Sequence, residues 1–293
     1  MTIYKAMEEF LLEQRCKGNS PKTIDYYNGA FKIFTNYYDG NNDIESITVP
    51  LLRKYTLFLG EDGVRTSTTI QSYVRALRAF LTWCYNEEIL STNLSEKYKL
   101  PKAKRKTIDV LTDVEINKLM SSFNTNYYVH LRNYCICALM LDSGLRMEEV
   151  VTLKISNLHI PEGYAIIDGK GNKERTVPLG DNTRRYLLKY QRKRYPREQT
   201  DFLFLTTSGY PINKNTIKQL FRKLKKKLDI PRLRAHLLRH TFATKYLSNG
   251  GDMYSLQQIL GHTSLEMVKR YVHITHQMSV KNFSSFSPLD NIK

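Results

Sequence analysis

The sequence predicts a mainly α-helical protein with a small antiparallel β-sheet, divided into two domains. Three observations carry this. The chain has 293 residues, more than one compact domain usually holds. Apolar residues recur at helical spacing through most of it, with one interval near 158–177 where the pattern changes to turn-flanked β-branched pairs. Between residues 95 and 107 the apolar residues thin out and basic ones take their place, as in a linker.

The first hundred residues read as helices. Ser20-Pro21 has the form of an N-cap followed by proline at the first helical position. Behind it Tyr26, Tyr27, Phe31, Phe34 and Tyr38 recur at helical spacing. A shorter helix is expected after Thr48. Another spans Ser67 to Glu87, with Ile70, Tyr73, Leu77, Phe80 and Leu81 on one side. These aromatics are read as core rather than as a platform for stacking bases. Domain boundaries follow: a helical domain over 1–95, a basic linker over 96–108 and a second domain over 109–293. Within the linker, Pro101 discourages helix and four basic residues fall among Lys102 to Lys106. A linker that touches phosphate and a plain solvated one both fit that composition.

The second domain opens with a capping box, Thr112 and Glu115, ahead of a helix. An apolar helix is expected from Tyr128 to Asp142, stopping at Gly144. Ile166-Ile167 and Thr176-Val177 flank the turn-rich run Asp168 to Lys173, the pattern of a β-hairpin. Helices are then expected near 181–194, 213–228, 235–248, 252–260 and 264–273. No internal repeat or low-complexity segment is present.

Charge narrows the choice of partner. The formal net charge is +17, from 45 Lys+Arg and 28 Asp+Glu. Residues 1–100 hold 12 basic and 12 acidic side chains, so the excess belongs wholly to the remainder. Between Asn213 and Tyr246, eleven Lys/Arg face Asp229 as the one acid. Such a local excess repels itself unless a polyanion neutralises it, and double-stranded DNA is the expected partner. The longest apolar stretch, Cys135 to Leu141, is too short for a bilayer, and the N-terminus lacks a signal-peptide pattern. No membrane association and a cytoplasmic location are expected. The four cysteines form no CxxC pair and no zinc spacing. Cys135 and Cys137 read as buried small hydrophobes.

Cutting a phosphodiester by transesterification requires fixed cations for the pentacoordinate phosphorane, a nucleophile, and a proton donor for the leaving 5′-oxygen. The sequence has no GxxxxGK[ST] loop and no carboxylate cluster of the two-metal kind, so neither cofactor nor metal is expected. Candidates for a basic site stand in the second domain. Ser143-Gly144-Leu145-Arg146-Met147-Glu148-Glu149 puts an arginine just after a glycine turn, at a helix start. His236-Leu237-Leu238-Arg239-His240 puts His236 and Arg239 on one helix face. Leu260-Gly261-His262 ends a helix, and Tyr271 follows within KRYVH. Each alone is weak; their order and composition together are not.

The ordered set SGLRMEE, GKGNKER, HLLRHTFAT, LGH and RYVH resembles the tyrosine recombinases, the phage-integrase family, segment by segment. The run GNSPKTI in the first half is similar to that family's core-binding domain, so the resemblance covers nearly the whole chain. It implies a helical core-binding domain followed by an α-rich catalytic domain. It also implies site-specific DNA recombination through a 3′-phosphotyrosyl intermediate, by a homo-tetramer on paired sites. Carried over residue by residue, Arg146 and Arg239 would clamp the non-bridging oxygens and Lys170 would protonate the departing 5′-oxygen. His236 and His262 would bind the phosphate or handle the nucleophile's proton, and Tyr271 would attack phosphorus. The residues alone leave Lys170 and Lys173 equivalent; the resemblance favours Lys170. Glu149 reads as a supporting residue.

Two other readings stand beside this one. A type IB topoisomerase shares the chemistry, but the motif spelling and the residues after Tyr271 favour a recombinase. A non-catalytic DNA-binding regulator would explain the charge and leave Tyr271, Arg146 and Lys170 without a use. The chain is expected to lack a further arm-binding module at its N-terminus. In the tail over 279–293, Phe283, Phe286 and Leu289 recur every third residue. That stripe can pack on its own domain or, as the resemblance implies, dock on a neighbouring subunit.

Overall fold

The computed structural model of the chain describes residues 1–61, 63–102, 109–169, 174–194 and 200–261. It divides into two compact units, Met1–Lys106 and Thr107–Lys293.

The first unit is helical throughout: α1 (Ile3–Cys16), α2 (Pro21–Tyr37), α3 (Val49–Glu61), α4 (Ser67–Asn86) and a single turn, α5 (Leu94–Lys97). Its helix starts are written locally. The Ser20 and Thr66 hydroxyls accept from the Thr23 and Thr69 amides, and Pro21 occupies the first turn, where its missing N–H costs nothing. Phe10 is the hub of the core. Its ring meets Tyr27, Phe31, Phe80 and Trp83 at centroid distances of 5.0, 5.7, 5.7 and 5.5 Å, mostly edge to face. Phe31, Phe34, Leu77, Phe80 and Leu81 are buried, as their spacing predicts. Residues 96–100, expected to open a linker, still belong to this core. Tyr98 is buried and its hydroxyl lies 2.7 Å from that of Thr56, while Leu100 packs against the cluster. A lysine-rich context hid two side chains that fill the gap left beside α3 and α4.

The second unit is built around α7 (Tyr128–Asp142), which is apolar on nearly every side because α9 (Asp181–Lys193) and α11 (Ala235–Ser248) pack against it. The other helices are α6 (Asp113–Ser121), α8 (Met147–Thr152), α10 (Lys214–Leu228) and α12 (Met253–Leu260). The capping box at the start of α6 is present, with the Glu115 carboxylate accepting the Thr112 amide and the Thr112 hydroxyl the Glu115 amide. The sheet has the order β1 (Leu158–His159), β2 (Tyr164–Asp168), β3 (Glu174–Pro178), all antiparallel. The sequence reading contained the β2–β3 hairpin but not the two-residue β1, which is too short to show a period. Ala165, Ile167 and Val177 face the core from the hairpin. Cys135 and Cys137 are buried, and burial pushes both thiols up, Cys137 to about 12. Among the described residues no helix is long and apolar enough to cross a membrane.

Candidate active site

Three described side chains come from the sequence-derived set: Arg146, His236 and Arg239. Lys170, His262, Tyr271, the helix expected near 264–273 and the tail over 279–293 lie outside the described residues.

Arg146 owes its position to how α7 stops. The helix ends at Asp142, and Gly144 turns the chain with φ +64°. A side chain there would be strained, and its Cβ would stand 2.5 Å from the Phe242 ring and 2.9 Å from Leu260. The turn is bolted down on both sides. The Ser143 hydroxyl donates to the Pro178 carbonyl at 2.7 Å. The Asp142 carboxylate accepts from the Gly180 amide and the Thr183 hydroxyl at 2.9 and 2.7 Å. Arg146 then takes the N-cap position of α8, with extended backbone. Its amide donates to Glu149 Oε2 at 2.7 Å and its Nη1 to Glu149 Oε1 at 2.8 Å.

Glu149 is the centre of the arrangement. It is 6% exposed, yet receives four hydrogen bonds: two from Arg146 and two from Arg175 on β3, Nη1 at 2.9 Å and Nη2 at 2.8 Å. Burial alone would raise its pKa. The bidentate Arg175 fork, the Arg146 amide and the Arg146 guanidinium outweigh that and hold the carboxyl below the ordinary glutamate value.

Arg239 reaches the same carboxylate from α11, its Nη1 standing 4.0 Å from Glu149 Oε2. Its guanidinium is buried and donates to the carbonyls of Gly144 and, at 2.7 Å, Leu260. Those carbonyls belong to the turn ahead of Arg146 and to the last residue of α12, so one side chain holds both loops. Gly261 follows in the left-handed region, φ +61°, and closes α12 as the Leu-Gly-His spelling implies. His236, one turn before Arg239, is exposed at the start of α11. Partial desolvation, followed by the charges of Arg239, Arg234 and Arg146, lowers its pKa from 6.5, so the ring is neutral near pH 7 and can accept a proton.

Arg175 is a residue of this arrangement that the sequence reading missed, although it lies inside GKGNKER. Its register carried the signal. It pairs with Ile167, and Val177 two residues on is buried, so alternation points Arg175 inward. A cation at an inward position needs a buried partner, and Glu149 is that partner.

Beside this site α10 carries its charge outward. Ile217, Phe221, Leu224 and Leu228 are buried while Lys218, Arg222, Lys223 and Lys226 are exposed. No ion pair among the described residues engages those four; Lys214 is paired with Glu148.

Residues 109–278 match the profile of the phage integrase family, and residues 2–100 match the phage integrase SAM-like domain. The chain belongs to the phage integrase family. It is a tyrosine recombinase, an enzyme that breaks and rejoins DNA in site-specific recombination. It is 31% identical over 295 residues to tyrosine recombinase XerD of Oceanobacillus iheyensis, covering 97% of this chain and 98% of that protein. Against tyrosine recombinase XerD of Halalkalibacterium halodurans the identity is 29% over 296 residues, covering 98% and 99%. Among solved structures, the Tn1549 transposon integrase in complex with circular intermediate DNA superposes with TM-score 0.79 at 20% identity, covering 97% of this chain and 99% of that one. At that identity the likeness is one of fold.

Proposed function

We propose that this recombinase cuts each strand by attack of the Tyr271 hydroxyl on the scissile phosphorus. The P–O5′ bond breaks, a 3′-phosphotyrosyl ester forms and a free 5′-hydroxyl leaves. Arg146 and Arg239 neutralise the charge that grows on the non-bridging oxygens, Lys170 gives its proton to the departing 5′-oxygen, and His236 and His262 bind the phosphate or take the tyrosine proton. The observation that carries the reading is the convergence of Arg146 and Arg239 on one ionised, buried Glu149, with neutral His236 at the same place. Two planar forks fixed before the reaction can meet a phosphorane without reorganising. The ester conserves the energy of the cut bond, so rejoining runs by reversal with a 5′-hydroxyl as attacker.

The partner in this reading is double-stranded DNA in the cytoplasm, gripped by a core-binding domain in the first hundred residues and the catalytic domain from residue 109. The active assembly is a homo-tetramer on two paired sites, with the tail over 279–293 docking on a neighbouring subunit.

The test begins by recovering DNA covalently attached to the protein from cells and sequencing it, which supplies the recognised site. A nicked duplex of that site then traps the adduct on a denaturing gel. Tyr271→Phe is expected to abolish the adduct while leaving DNA affinity unchanged, since one phenol adds little to an interface dominated by phosphate contacts. A persistent adduct in the phenylalanine variant would remove Tyr271 from its role.

A further inference from the structure

We propose that Arg175 is a positioning residue of the cleavage reaction, locking Glu149 beneath Arg146 and tying the end of α12 to β3 near the turn end of the β2–β3 pairing. Its three donors reach two parts of the site. Nη1 and Nη2 form a fork on the two oxygens of Glu149 at 2.9 and 2.8 Å, and Nε donates to the Ile259 carbonyl at 2.7 Å. The α12 terminus is packed on the same side chain, because a Cβ at Gly261 would stand 3.0 Å from Arg175 Cδ. One largely buried arginine thus joins the carboxylate under the first clamp arginine, the end of α12 and β3. This inference rests on the residue roles proposed above.

The physical argument concerns what Glu149 does without its fork. It keeps its burial and loses two of four hydrogen bonds. The groups facing it are then Arg146 from the start of α8 and Arg239 from α11, whose Nη1 is 4.0 Å away. From α10, Lys214 pairs with Glu148 instead. A buried carboxylate with half its donors removed binds a proton more readily. Once neutral it no longer fixes the Arg146 guanidinium by charge. Arg146 is a third exposed and has room to swing, so the clamp loses register when Glu149 is protonated.

The test uses Arg175→Gln and Arg175→Lys in the full chain. Titration of the Glu149 carboxyl by NMR is expected to move upward in Arg175→Gln, a readout independent of any activity. On the nicked duplex, cleavage should slow on the order of 10²-fold with unchanged DNA affinity, the scale of an ångström's misplacement in a site. The acid limb of its pH–rate profile should also shift to higher pH. Arg175→Lys, which keeps the charge without the fork, should fall between. If Tyr271→Phe still forms adduct, the proposed roles fail whatever Arg175 does. If Tyr271 is the nucleophile and both Arg175 variants cut at the wild-type rate with an unchanged profile, the positioning role alone is overturned. Lower thermal stability in either variant, without a change in the rate or profile of the folded enzyme, marks a merely structural ion pair and overturns it equally.

Discussion

The two units bury different things. Among the described residues, the first unit buries only Gln14 and Ser95 besides apolar side chains and tyrosines, and holds itself together with a web of aromatic rings around Phe10. The second buries four charged groups, Arg132, Glu149, Arg194 and Arg239, and several hydroxyls. Taking charge out of water is costly, and a buried ion pair is seldom there for stability alone. The four fall into two sets. Arg132 and Arg194 donate to the carbonyls of Leu205, Leu203 and Phe202, fastening one loop edge. Glu149 and Arg239 hold the turn before Arg146 and the end of α12. The difference teaches that apolar rings suffice to hold the first unit, whereas the second fixes the backbone around Arg146 with charges from within.

Removing either arginine that meets Glu149 from α8 or α11 should give the largest effects. Arg239→Ala and Arg146→Ala are each expected to slow cleavage of the nicked duplex on the order of 10²- to 10⁴-fold, as for other preorganised donors. Arg239→Ala should also lower the denaturation midpoint of the second unit, since the Gly144 and Leu260 carbonyls lose their buried donor; Arg146, a third exposed, should cost less. Normal cleavage in a destabilised Arg239→Ala protein would make its buried charge structural and erase the contrast between the units.

The reverse substitution sharpens the same contrast from the other side. Phe10→Ala should cost roughly 3–5 kcal/mol of stability in the first unit, read by denaturant unfolding, because four ring contacts go with it. The covalent step, measured on DNA-saturated folded protein, should keep its rate. A cleavage defect as large as that of Arg146→Ala would show that the aromatic core also sets the chemistry.

The smallest effect is a titration. His236 should show an apparent pKa below 6.5 by NMR, and Arg146→Ala should move it up, since one of the cations that disfavour its protonation is gone. In sign, His236 is neutral above its lowered pKa and gains a proton only as pH falls through that value. A His236 that titrates at the ordinary value, unmoved by the variant, would separate it from the arginine pair.

Much of this was legible in the chain itself, and particular residues show why. Ser20 and Thr112 announce their helices because a cap is a local hydrogen bond. Phe31, Phe34 and Phe80 announce the first core because helical spacing puts them on one side. Gly144 and Gly261 announce turns because only glycine adopts those angles freely. Composition at Lys97 and Lys99 masks Tyr98, which is buried with its hydroxyl on that of Thr56, some forty residues away.

Local bonding, spacing and composition therefore determined the helices named above, the hairpin and the basic second half, and the ordered motifs carried the resemblance to the tyrosine recombinases. What the tertiary structure alone decided is which charges lie inside and what they hold. Arg175 and Glu149 are separated by 26 positions, and Arg239 and Gly144 by 95. Neither period nor propensity links such residues. Only packing α8 and α11 against α7, and α12 against β3 and α11, excludes the water that would otherwise dissolve those bonds into solvated ions.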